Sequence, residues 1–128
     1  MTVRIVRLGQ PRAAGEGTRL GTVRRPPRGV PKKDFARRDF YDVWYPVLAP
    51  SLESMKLGLA AHTEKQWKAF ARRYRAEMAR PDASQSLDVL AALSHHANFS
   101  VGCYCEDESR CHRSLLRELL LARKAKVG

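Results

Sequence analysis

The sequence predicts a single α/β domain, with a small, largely parallel sheet of three or four strands flanked by about five helices. Three observations carry that prediction. Short β-prone runs at 3–8, 19–24 and 99–104 are separated by stretches whose apolar residues recur at helical spacing. The last run leads through a polar loop into a strongly helical segment, a strand-loop-helix unit. A length of 128 residues suits one domain with its own core.

In chain order, Val3 to Leu8 sets Val, Ile and Leu among Arg4 and Arg7, as a half-buried strand near a sheet edge does. Residues 10–17 hold Pro11, Gly15 and Gly17 and form a turn-rich connection. A second strand is expected over Arg19 to Arg24, ended by Pro26 and Pro27, which cannot donate to a ladder. Asp34 to Val47 is expected to hold a short helix with Phe35, Tyr41, Trp44 and Tyr45 turned inward. Ser51 caps a helix running to about Ala60, and Thr63 with Gln66 forms a capping box for one running to about Ala79, closed by Pro81. Ser84 or Ser86 starts another, ending at His95-His96 before the 99–104 strand. The final helix spans Ser114 to Lys126, with Leu115, Leu116, Leu119 and Leu120 on its apolar side.

Composition narrows the function classes. No apolar run approaches the ~18 residues a membrane-spanning helix needs, so no membrane role is expected. Three cysteines, an odd number confined to one segment, argue against a disulfide scaffold and for a reducing cytoplasm; no secretory leader is legible. The net charge of +11, rich in Arg, points to an anionic partner, with Arg24, Arg25, Arg28 and Arg72, Arg73, Arg75 as anion-binding surfaces. Aromatic residues do not alternate with these cations, so nucleic-acid binding is expected to be weak and sequence-blind.

Chemistry concentrates in Cys103-Tyr104-Cys105-Glu106-Asp107-Glu108-Ser109-Arg110-Cys111-His112-Arg113. α/β proteins place ligands here, at the carboxyl end of a strand and the positive end of a helix dipole. Zinc binding by the three thiols and His112 meets two objections. Cys103 and Cys105 on one strand face lie roughly 6.6 Å apart at Cα. Cys111 and His112, adjacent on a helix, diverge by about 100°. No metal is therefore expected. Cys105 and Arg110 superficially match the loop of rhodanese-type sulfurtransferases, but three neighbouring carboxylates disfavour a Cys105 thiolate. Cys111, in the first turn of the helix beside His112, is the better nucleophile candidate. In a purely structural role Asp107 or Ser109 caps the helix and the cysteines fill small spaces. In noncovalent anion binding the helix amides act with Arg113.

Pro27-Arg28-Gly29-Val30, Ala49-Pro50-Ser51, Trp67-x-x-Phe70-x-x-x-Tyr74-x-x-Glu77 and Cys111-His112-Arg113 preceded by Cys103 together resemble the domain of unknown function family 488 over about residues 19–122. The chain departs from that pattern at Pro26, where many members carry Trp. The resemblance implies a small α/β domain without an established reaction. It also implies that Arg28, Ser51, Cys111, His112 and Arg113 converge around one cleft. The expected function is a cytoplasmic domain that binds a small anionic or nucleotide-like ligand at the Cys-His-Arg turn, with Arg28, Ser51 and Arg113 as ligand contacts and no cofactor. The alternatives are an enzyme using Cys111 with His112 as base, and nonspecific nucleic-acid binding through the basic surface.

Overall fold

Four strands, β1 (Val3–Arg7), β2 (Thr18–Gly21), β3 (Val43–Trp44) and β4 (Phe99–Cys103), pair in the order β1-β4-β2-β3, and every pair is parallel. The computed structural model describes residues 1–128. β4 is buried at every position because it has a strand on each side and cover on both faces. β1, at the sheet edge, is half-buried: Val3 is buried and the next four residues, Arg4 and Arg7 among them, are partly exposed. One parallel bridge, Val3 to Val127, brings the carboxyl-terminal residues against it.

Four α-helices, α1 (Leu52–Leu59), α2 (Glu64–Met78), α3 (Pro81–Leu93) and α4 (His112–Ala122), build the rest, one fewer than expected. The difference lies in 34–47. That segment forms 3₁₀ turns at Lys32–Asp34 and Pro46–Leu48 and the two-residue β3. Its aromatic residues face different neighbours: Phe35 and Tyr41 meet edge to face, whereas the Trp44 indole N–H donates to the Val23 carbonyl. Asp39, at φ 64°, interrupts any helical run.

The main core joins Val3, Phe99 and Val101 of the sheet to Phe70 and Tyr74 of α2, Leu87 of α3 and Leu116 and Leu120 of α4. Burial of these side chains supplies most of the driving force for folding. A smaller core of Leu8, Val23, Tyr41, Cys103 and Cys111 sits where β4 ends. The amino end of the sheet is closed differently. Glu16, which is 3% exposed, pairs through both carboxylate oxygens with Arg19, which is 1% exposed, at 2.8 and 3.0 Å. Arg19 also donates to the carbonyls of Gln10 and Asp39, and Glu16 accepts from Ser100. Gly17 has φ 80°, and a Cβ there would lie 1.9 Å from the Asn98 carbonyl oxygen, so only glycine fits this turn.

Helix ends follow local chemistry. Ser51 caps α1 through the Ser54 amide, and Thr63 and Gln66 form a full capping box on α2. α3 starts at Pro81 itself, three residues before the expected Ser84: proline suits the first helical turn, where its missing N–H has no partner to lose.

Candidate functional site

The end of β4 delivers Cys103 into a loop that returns as α4, and this return folds the three cysteines and His112 onto each other. Cys103 Sγ lies 3.7 Å from Cys105 Sγ, and Cys111 Sγ lies 3.7 Å from His112 Nδ1. The ligand atoms of Cys103, Cys111 and His112 all fall within 4.8 Å of one another. All three cysteines are free; Cys103 and Cys111 are buried, and Cys105 is partly exposed.

Both objections to a convergent set lose their geometric basis. Cys111 is not in the helix but is its N-cap, with extended φ −128° and ψ 153°, so the 100° helical offset from His112 does not apply. Cys105 follows the end of β4, so the chain is free to bring its thiol back beside Cys103. Helix capping also differs from expectation. Asp107 caps a 3₁₀ turn at Glu108–Arg110 through the Ser109 amide, and α4 has no side-chain cap.

The imidazole orientation is fixed from behind. Its Nε2 lies 2.7 Å from the Thr22 carbonyl oxygen, which only an N–H can satisfy, so in the neutral ring Nδ1 carries the lone pair directed at Cys111 Sγ. The ring also packs 5.5 Å from Tyr74.

The carboxylates beside Cys105 are engaged by other partners or exposed. Glu108 pairs with Arg117 at 2.8 Å, Asp107 is held by Ser109, and Glu106 is solvent-exposed near Arg7. The cluster's polarity instead comes from within. Hydrogen bonding to Cys105 and Cys111, together with burial, pushes the Cys103 thiol far up. The same Cys103 bond lowers Cys105, and the positive charge of Arg113 assists. Cys111 is lowered by its bond with Cys103 and by His112.

Arg113 is 4% exposed and has no carboxylate partner. One guanidinium nitrogen donates to the Cys105 carbonyl, and its buried Nε has no partner at all.

In front of the cluster opens a cavity of about 350 Å³. Cys103, Cys105, Cys111 and His112 line its base, and Met55, Leu59, Trp67, Phe70 and Tyr104 are among its walls. Arg24 and Arg25 also line it. Arg24 is spent on the carbonyls of Pro46, Ala49 and Pro50, whereas the side chain of Arg25 is exposed and makes no ion pair or hydrogen bond. Arg110 stacks over Trp67 at 5.6 Å and pairs with Glu64.

The expected site residues separate. Cys111 and His112 share the cavity, and Arg113 lies behind it. Arg28 is exposed and outside the cavity lining. Ser51 is occupied with Glu77 and the α1 cap, in a different hollow. Among the basic surface residues, Arg73 and Arg75 are engaged by Glu53 and Glu118. Two cavity residues stand outside the expected ligand contacts: Cys105, whose neighbouring carboxylates pair elsewhere, and Arg25, which unlike Arg24 has no side-chain partner.

The fold and the site define a class: a small all-parallel α/β domain bearing a thiol–imidazole cluster at the carboxyl end of its central strand. Within that class, the chain belongs to the DUF488-N3a family, the active DUF488-N3 subclade, whose model matches residues 3–124. That span contains every strand and helix described above. No curated protein and no solved structure gives a significant match.

Proposed function

We infer that the domain binds a small anionic, nucleotide-like ligand in the cavity over the thiol–imidazole cluster. The observation that carries this reading is the pairing of aromatic walls with one unengaged cation. Trp67, Phe70 and Tyr104 offer apolar faces to a flat ring, and Arg25 stands free to meet a negative group. A volume of about 350 Å³ lies in the range of small-molecule sites. Isothermal titration with nucleoside mono- and diphosphates tests it. Saturable binding weakened about tenfold by Arg25→Ala, the loss of one charge-assisted contact, supports the reading. Absence of saturable binding for every nucleotide overturns it.

A second reading, thiol chemistry by Cys111 with His112 as base, is favoured by the His112 lone pair 3.7 Å from Cys111 Sγ. It requires an electrophilic ligand to reach a sulfur that is only 2% exposed.

A further inference from the structure

We propose that Cys103, Cys105, Cys111 and His112 form a tetrahedral zinc site at the base of the cavity, with buried Arg113 as its counter-charge. The first support is metrical. With Zn–S bonds of about 2.3 Å and Zn–N bonds of about 2.0 Å, the edges of a tetrahedral Cys₃His site measure about 3.5 to 3.8 Å. Cys103 to Cys105 and Cys111 to His112 each span 3.7 Å, and the Cys103, Cys111 and His112 atoms are mutually within 4.8 Å. Cys105 joins this group through its 3.7 Å approach to Cys103.

The second support is orientation. Metal-binding imidazoles donate their remote N–H to a backbone carbonyl or carboxylate, which fixes the coordinating lone pair. His112 does this through Nε2 and the Thr22 carbonyl, leaving Nδ1 toward Cys111 Sγ.

The third support is charge and is independent of both. A buried guanidinium without an anion is costly. Arg113 is 4% exposed, makes no salt bridge and retains an unpartnered Nε, and Asp107 and Glu108 feel its charge only without direct pairing. Three thiolates, a neutral imidazole and one Zn²⁺ carry a net charge of −1, which Arg113 balances beside Cys105.

Binding is a ligand exchange without redox change: the metal displaces the thiol protons to solvent and forms three Zn–S bonds and one Zn–N bond. Four protein ligands make the site closed and structural, pinning the 104–111 loop between β4 and α4. The inference does not depend on the nucleotide reading, because nucleotide titration and metal uptake are separate measurements.

The test uses the full chain, purified without chelator and kept reduced. Elemental analysis is expected to find one zinc per chain. Cobalt substitution is expected to produce thiolate-to-metal charge transfer and the intense visible bands of tetrahedral coordination. Cys105→Ser, chosen because Cys105 is partly exposed and the variant should still fold, removes one of three thiolates; it is expected to lower charge-transfer intensity by about a third and weaken metal affinity at least tenfold. Arg113→Met is expected to keep the band pattern and lose about 10- to 100-fold in affinity. Circular dichroism confirms folding of each variant. Folded, reduced wild-type protein that takes up no tetrahedral cobalt overturns the site. A Cys105→Ser spectrum identical to wild type removes Cys105 and overturns the four-ligand set.

Discussion

The two ends of the parallel sheet handle buried charge in opposite ways. At the amino end, Glu16 and Arg19 neutralise each other, and carbonyls and Ser100 take up further hydrogen bonds. At the carboxyl end, Arg113 is almost as buried, but its Nε is unpartnered and the nearest polarisable groups are thiols. Buried ion pairs persist only when geometry and hydrogen bonding repay desolvation, a condition met at the first end alone. The contrast teaches that the amino end is built to hold the fold together, and the carboxyl end to receive something.

The largest effect expected from this contrast is on Arg19. Arg19→Met leaves the Glu16 carboxylate buried without its partner, a loss of roughly 3 to 5 kcal/mol in urea unfolding. A cost under about 1 kcal/mol would show that water reaches Glu16 and would dissolve the distinction.

Acid is expected to strike the same end. Burial alone would raise Glu16, but bonds from Arg19, Ser100 and the Ala13 amide outweigh it and hold the carboxyl down to about 2, against 4.5 when unperturbed. The folded value is depressed, so the stabilisation is fully present above about pH 4.5 and is lost as pH falls toward 2. The drop is roughly 3 kcal/mol at 1.36 kcal/mol per unit. Urea midpoints measured across that window should be less steep for Glu16→Gln than for wild type.

The smallest effect is expected at the other end. In reduced, chelator-treated protein, Arg113→Met removes one hydrogen bond and a poorly compensated charge, for a net loss of about 1 kcal/mol. A loss as large as that of Arg19→Met would mean that the thiol end is as much a structural keystone as the ion-pair end.

Features set by neighbours in sequence were legible. The Ser51 cap, the Thr63–Gln66 capping box and the half-buried strand β1 all appear where the residues predict. Features set by distant contacts were not. Pro81 reads equally as a terminator of α2 or as the first residue of α3, and packing of Ala83 and Leu87 decides for the second. The aromatic spacing of 35–45 mimics a helix, because those rings serve the small core and the Val23 carbonyl from irregular backbone. The site was located by its cysteines, but its members depended on the loop path. The carboxylates of 106–108 find Arg7, Ser109 and Arg117, partners that composition alone cannot rank.

Strand order imposes a schedule on assembly. β1 and β2 never pair with each other; both hydrogen-bond to β4, whose residues are 99–103. A growing chain therefore carries β1 without any partner in the final sheet, and β2 with only the two-residue β3 beside it, until β4 emerges some eighty residues after β2. Long-range parallel pairing of this kind folds slowly, because loop closure must precede the contacts that reward it. The α1 to α3 hairpins can form early, but the sheet waits for the segment that also delivers the cysteines. Completion of the fold and creation of the site are thus the same late event, and a ribosome stalled before residue 99 releases a chain with neither.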